Sequence, residues 1–330
     1  MGSSAAEPQL APAAELTSRL AAELARLWPD FAQQQETRLG LAVSGGPDSV
    51  ALLLLAAAAF PGRVEAATVD HGLRAESATE AADVARLCAR LAVPHATLPV
   101  ALAAGNLQAE ARRARYDALA GWIAARGLGA LATAHHADDQ AETLLLRLNR
   151  ASGVAGLAGT RARSVVPGTA MPLLRPLLGW RRGELAAVVA AAGIAPAQDP
   201  SNLDDRFDRA RLRRALAQAD WLDIAAVAES ATHLADADAA LEWAARREWR
   251  ECVSRNGPGL TYRPQAPRAI ALRVLARIVT ELDGEAPRGG AIARLFDALV
   301  ERRPASIGNL VARPTPEGWS FTAAPRRRGS

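Results

Sequence analysis

The chain has 330 residues, half of them hydrophobic and 22% charged, with a formal net charge of +4; this is ordinary for a globular protein with more than one hydrophobic core. Its two cysteines, Cys88 and Cys252, form no CxxC pair, which argues against a disulfide framework, a zinc site or a cysteine-held iron–sulfur cluster. All 39 side-chain cations are arginine, so any phosphate contact must come from guanidinium groups, backbone N–H groups or helix N-termini.

The N-terminal residues run into an amphipathic pattern without a secretory signature. The apolar run Val50–Phe60 is about half the length of a membrane helix. The expectation is a cytoplasmic protein with no membrane partner. Thr17–Trp28 reads as an amphipathic helix and Leu39–Val43 as a buried strand. A Gly-rich turn at Ser44–Ser49 precedes an apolar helix to about Phe60. Val64–Val69 is the next strand, ending in Asp70-His71-Gly72. A helix over Glu76–Leu91, a strand over Pro94–Val100 and a helix over Gln108–Arg126 follow. Gly129–Ala134 is a further strand, and His135-His136 lead into a helix through about Leu148. This alternation predicts an α/β fold, a doubly wound parallel sheet with ligands bound beyond the carboxyl ends of its strands.

After Asn149 the texture changes. Ala151–Gly159 is rich in Gly and Ala, Pro167–Pro176 is extended, Arg181–Ala192 is helical and Asp199–Asp205 is a polar loop. Asp220–Val253, Arg268–Leu282 and Gly290–Arg302 read as helices, and Ser306–Arg313 with Gly318–Thr322 as a hairpin around Pro314–Glu317. The expected division is a catalytic domain over 1–217 and a mostly helical domain over 218–330.

Two segments carry chemistry. In Ser44-Gly45-Gly46-Pro47-Asp48-Ser49 the glycines expose successive N–H groups, Pro47 suits a first helical turn, and the helix N-terminus favours a phosphate. The loop lacks the lysine of GxxxxGK[ST] and is not GxGxxG. In His135-His136-Ala-Asp138-Asp139-Gln140-Ala-Glu142, Asp139 and Glu142 share a helix face and suit a magnesium ion (Mg2+) on nucleotide phosphates. Asp138 is the expected helix cap, and the histidines offer donors to a phosphate or ribose. Arg112 and Arg115 share a face and suit a phosphate or a transition-state charge, or else form a solvated arginine face.

The loop SGGPDS resembles that of ATP pyrophosphatases, which cut between the α and β phosphates. With VDHGLR at 69–74, Asn106-Leu-Gln108 before Arg112–Tyr116, ATAHHADDQAETLLLRL at 132–148, RPLL at 175–178, and DPSNLD at 199–204 followed by Phe207 and Arg209, the chain resembles the tRNA(Ile)-lysidine synthetases over roughly half its length. The resemblance implies a PP-loop ligase that uses ATP to adenylate C2 of cytidine 34 in the CAU anticodon of a minor isoleucine tRNA. Free L-lysine then attacks, giving lysidine, AMP and pyrophosphate. By position it implies nucleotide binding by Ser44, Gly45, Gly46, Pro47, Asp48, Ser49, Asp70, His71 and His135. Catalysis would fall to Asp48, Arg115, Asp139, Glu142 and Arg209, with metal on Asp139 and Glu142. A homodimer is carried as an expectation. One departure is Ala210, where the family pattern Phe-x-Arg-Asn-x-x-Arg has asparagine.

Beyond residue 220, Arg246, Arg247, Arg250, Arg268, Arg273 and Arg277 are candidate RNA phosphate contacts, and Trp243 and Trp249 candidates for base stacking or core packing. The tail Arg326–Arg328 adds nonspecific attraction. The alternatives are a tRNA thiolase, an amidating ligase, and a noncatalytic ATP-binding regulator that would need neither Asp139 nor Glu142.

Overall fold

The structure, a computed structural model, describes residues 10–70, 72, 75–100, 107–197, 208–285, 287 and 289–324. His71, Arg74, Asn106, the loop 199–205, Phe207 and Arg326–Arg328 lie outside the described residues. The chain divides into two compact units, Met1–Leu234 and Ala235–Ser330. This division comes later than the one expected at 217/218. It falls inside a continuous helix, Ile224–Cys252, which holds no glycine or proline to break it.

The first unit opens with α1 (Ala14–Leu27), α2 (Pro29–Gln33), β1 (Leu39–Ala42), α3 (Pro47–Ala59), β2 (Val64–Asp70) and α4 (Ala75–Arg90). β3 (His95–Pro99), α5 (Leu107–Arg126), β4 (Ala130–Ala132), α6 (Ala137–Leu148) and α7 (Val154–Leu157) follow. β5 (Arg163–Val165), β6 (Pro172–Leu174), α8 (Arg182–Ala191), α9 (Asp208–Ala217) and the first part of α10 (Ile224–Cys252) complete the series, the rest of α10 belonging to the second unit. The sheet order is β3-β2-β1-β4-β6-β5, parallel except for the antiparallel edge strand β5.

Side chains alternate between faces along a strand, and β4 shows the consequence. Ala130 and Ala132 join the core that holds Leu20 of α1, Leu52 of α3, Val84 of α4 and Leu185 of α8. Leu131 between them joins the opposite core, with Tyr116, Leu119, Trp122 and Ile123 of α5. Helices therefore cover both faces, as the strand–helix alternation predicts. α3 is buried without a break from Ser49 to Ala56, which is why its sequence is apolar all round rather than striped. The chain winds outward from β1 in one direction and from β4 in the other, so the topological switch point, the place at which open α/β sheets bind ligands, lies between these strands.

The second unit contains α11 (Arg268–Asp283), α12 (Gly289–Val300) and β7 (Val253–Asn256), β8 (Gly259–Tyr262), β9 (Ala305–Ile307), β10 (Leu310–Thr315) and β11 (Gly318–Ala323). The expected hairpin is β10–β11, closing at Thr315 and Gly318. It sits within a five-stranded antiparallel sheet, β7-β8-β11-β10-β9. The added strands are only three or four residues long, too short for a period-of-two pattern to stand out. Tyr262, Leu275, Ile278, Leu299 and Phe321 are among the residues of this unit's core. Among the described residues no helix is long and apolar enough to cross a membrane.

Candidate active site

The loop Ser44–Ser49 leaves the carboxyl end of β1. Gly45 has φ +87°, a left-handed conformation that a side chain would strain, and its carbonyl accepts the Ala197 N–H at 3.1 Å. Gly46 is the extended N-cap of α3 and Pro47 stands in the first turn. No side chain caps this helix among the described residues, so its first N–H groups remain available to an anion. Ser49 braces the turn: its Oγ accepts the Ser44 N–H at 3.1 Å, donates to the Gly46 carbonyl at 2.9 Å and lies 3.2 Å from Ser44 Oγ. Asp48 points its Oδ2 to within 3.4 Å of His136 Nε2, while its buried Oδ1 has no hydrogen-bond partner.

His136, fully buried, begins α6 after β4. Its Nδ1 accepts the Asp139 N–H at 3.4 Å, and Asp139 Oδ2 accepts the His136 N–H at 3.2 Å, a reciprocal cap. The cap thus belongs to His136 and Asp139, not to Asp138 as the sequence suggests. Asp138 is drawn instead toward α8, accepting from the Arg182 N–H at 2.8 Å and Arg181 Nε at 3.2 Å. Burial alone would raise its pKa; these hydrogen bonds and the Arg181 and His136 charges hold it below the ordinary aspartate value.

One turn on, the Glu142 side chain is only 2% exposed and is ringed by cations. Arg213 Nε donates to it at 2.6 Å, Arg182 Nη2 at 3.4 Å, and Arg209 Nε lies 3.9 Å away. Arg213 also reaches Asp139 Oδ1 at 3.4 Å. Burial works against the Arg213 charge, but the hydrogen bond to Glu142 and the charges of Glu142, Asp139 and Asp48 raise its pKa above the usual arginine value. Gln140, between them in sequence, exchanges hydrogen bonds with the Thr160 backbone at 2.8 and 2.7 Å. Gly159, with φ +63°, makes room for it: a Cβ there would sit 2.7 Å from Gln140 Oε1.

Of the residues singled out from sequence, Ser44–Ser49, Asp48, Asp139, Glu142 and Arg209 therefore lie around the adjoining ends of β1 and β4. Arg209 also donates to Thr143 Oγ1 at 3.1 Å. Asp70 braces its own turn, accepting from the Gly72 N–H at 2.9 Å and the Ser77 hydroxyl at 2.7 Å. His135 Nδ1 is 3.0 Å from Thr133 Oγ1. Burial, then the nearby Arg175, Arg115 and Arg112, push its pKa down to about 4 against the opposing pull of Asp139. Arg115 lies on α5 against Tyr116 and ion-pairs with none of these acids among the described residues. Sequence reading did not select Arg213 or Arg182 for the site. The i,i+4 spacing of Arg209 and Arg213 on α9 is the signal that was available. Ala210 is buried between them, so the departure from the family pattern removes an interior amide and leaves both arginine contacts standing.

No group of three or more His, Cys, Asp or Glu fit to hold a metal is present among the described residues. Two buried carboxylate oxygens nonetheless lack hydrogen-bond donors, Asp48 Oδ1 and Glu142 Oε2. Such oxygens fit magnesium, which takes one or two protein carboxylates and completes its shell with phosphates and water.

A PP-loop domain family matches residues 16–220. The chain is 50% identical to a tRNA(Ile)-lysidine synthase of Novosphingobium aromaticivorans, over 88% of this chain and 90% of that one. The chain belongs to the tRNA(Ile)-lysidine synthases. It is also 41% identical to the synthase of Zymomonas mobilis, again over 88% and 90% of the two chains. Among solved structures, a U34-tRNA thiolase from Methanococcus maripaludis shares the fold with a TM-score of 0.54 at 15% identity, over 67% of this chain and 79% of that one.

The second unit carries a groove of about 490 Å³ lined by Trp243, Arg246, Trp249, Arg250 and Arg277. Arg277 stacks over Trp249 at 4.2 Å, and Trp243 is 60% exposed. The other candidate phosphate contacts are engaged: Arg273 with Asp238, Arg268 with Asp297, and Arg247 with Glu251.

Proposed function

We propose that this ATP-using ligase activates cytidine 34 in the CAU anticodon of a minor isoleucine tRNA and joins L-lysine to it in the cytoplasm. The observation that carries this reading is the meeting of the Ser44–Ser49 loop with Asp48, Asp139 and Glu142 at the switch point of the sheet. The cytosine O2 attacks the α-phosphorus of ATP, and pyrophosphate leaves. An amine of lysine then attacks C2, the C2–O bond breaks, and AMP departs with the oxygen. Adenylation is needed because an amide-like oxygen is otherwise a poor leaving group.

Gly45, Gly46 and the start of α3 hold phosphate, with Ser44 and Ser49 shaping the turn. Asp48 and Glu142 are the residues whose free oxygens would hold magnesium, which when bound neutralises charge on the departing pyrophosphate. Glu142 is already committed to Arg213. Asp139, more exposed at 16% and more loosely held, is the better acceptor for the proton that the lysine amine loses. Arg209 and Arg213 keep the two carboxylates apart and oriented. The thiolase alternative is disfavoured by its own chemistry: Cys88 is buried with its thiol pushed up to about 12, and Cys252 is also raised by burial first, so neither is an activated thiolate.

The test is release of AMP and pyrophosphate from labelled ATP, with and without lysine and a CAU-anticodon isoleucine tRNA. Release that requires both, with lysine label entering the RNA, supports the reading. Release that requires RNA but ignores lysine leaves base activation standing and removes the nucleophile.

A further inference from the structure

Three arginines converge on one buried tyrosine beside the active-site crevice. Arg112 and Arg115 stand one turn apart on α5, their guanidinium carbons 5.2 and 5.5 Å from the centre of the Tyr116 ring. Arg175 follows β6 directly and is only 6% exposed. It donates to the Arg161 carbonyl at 2.6 Å and to Ser164 Oγ at 3.0 Å, and it lies beside the Tyr116 hydroxyl and Arg112. Among the described residues no carboxylate pairs with Arg112, Arg115 or Arg175, whereas the arginines around Glu142 are compensated.

Like charges gathered without a counter-ion repel, and burial sharpens the repulsion. Burial lowers the Arg175 pKa from the ordinary arginine value; the charge and hydrogen bond of Tyr116 oppose this, and the Arg112 charge adds a smaller downward push. The cluster is also short of acceptors. Arg115 Nε and Arg175 Nε are buried without a hydrogen-bond partner, and a buried donor left without an acceptor is destabilising until a ligand supplies one. Adjacent orphaned donors with surplus positive charge call for a ligand made of acceptors, and guanidinium forks match phosphate oxygens.

We infer that Arg112, Arg115, Arg175 and Tyr116 form a pocket for a backbone phosphate of the RNA substrate. The sheet separates this pocket from the nucleotide loop. Tyr116 packs with Leu131 on one face, while the loop Ser44–Ser49 feeds α3, which packs with Ala130 and Ala132 on the other. Both features lie at the carboxyl edge, because α5 begins after β3 ends and Arg175 follows β6. ATP phosphates seated at α3 leave the α5 side to the other polyanion of the reaction, the strand flanking the target nucleotide. The inference rests on the RNA-modifying reading above.

The experiment compares wild type with Arg112→Gln, Arg115→Gln and the double variant, each first checked for an unchanged melting curve. Binding of an anticodon stem-loop RNA carrying CAU is titrated across salt concentrations without ATP or lysine, and KM is measured for tRNA, lysine and ATP. The expected result is RNA affinity lower by about tenfold or more in the double variant, with the log Kd against log salt slope reduced by about 0.7–0.9 for each phosphate that is no longer neutralised. In Arg112→Gln, which touches none of the residues assigned to catalysis, KM for lysine and ATP stays within twofold. A rise in KM for lysine with RNA binding intact overturns the inference in favour of a carboxylate pocket, and a rise for ATP in favour of a nucleotide pocket. Unchanged RNA affinity and salt slope overturn it as well. If Arg115→Gln fails to fold, the exposed Arg112→Gln alone must still flatten the salt slope. Wild-type protein that binds no RNA removes both this inference and the reading beneath it. Wild-type protein that binds RNA without incorporating lysine removes only the nucleophile assignment.

Discussion

Two clusters of charge sit at the carboxyl edge of the same sheet and are built in opposite ways. At the start of α6 the carboxylates are matched to arginines: Asp138 to Arg181, Asp139 to Arg213, and Glu142 to Arg182, Arg209 and Arg213. At the start of α5, Arg112 and Arg115, joined there by Arg175 from β6, have no acidic partner among the described residues. A compensated network holds side chains in place before anything binds. An uncompensated one is completed by its ligand. The first arrangement suits groups that must be oriented for chemistry, the second a surface that must attract a polyanion.

The contrast can be broken in several ways, and the largest effect is expected at Asp139. Asp139→Asn keeps an oxygen for the His136 cap but loses the proton acceptor, so turnover should fall by about 10²–10⁴ while the melting temperature moves little. An active, well-folded Asp139→Asn enzyme would falsify the assignment of proton acceptor. Glu142→Ala attacks the compensated network itself. With Arg182, Arg209 and Arg213 left facing one another, urea unfolding should show a loss of about 3–5 kcal/mol. The corresponding loss for removing Arg112 should be near zero, because no partner is stranded.

Gly159→Ala tests the frame behind α6. It forces a side chain into a left-handed position and against Gln140, with an expected destabilisation of about 1–3 kcal/mol by thermal or urea melts. The smallest effect is at Asp138. Its pKa in the folded chain lies below the ordinary value, so its contribution is fully present above the unfolded pKa near 3.8 and is lost as pH falls through the lower folded value. Asp138→Asn should flatten that acid limb of the stability curve by on the order of 1 kcal/mol. An unchanged acid limb would mean that the Arg181 and Arg182 contacts add nothing.

Much of this was legible in one dimension. The strand–helix alternation, the glycine pair before an apolar helix, and the carboxylates Asp139 and Glu142 one turn apart are local patterns, set by backbone freedom and side-chain periodicity. They sufficed for the parallel sheet, the glycine-containing turn before α3 and the acidic helix start. The narrow strands β5, β7 and β9 were not legible, because three or four residues exist as strand only when a neighbour pairs with them.

Tertiary structure decided the rest, because charge pairing depends on distance through space. No spacing rule brings Arg213 across 71 positions to Glu142, or turns Asp138 away from its own helix toward Arg182. The same reason hid the pocket on α5. Arg112 and Arg115 read equally well as a solvated face until the end of β6 sets a buried Arg175 beside the same tyrosine. The sequence by itself determined which groups the protein has and the faces on which short-range geometry places them. The fold decided which charges are neutralised and which are left for a ligand, since only folding removes water from between groups remote in the chain and so makes their pairing, or its absence, energetically significant.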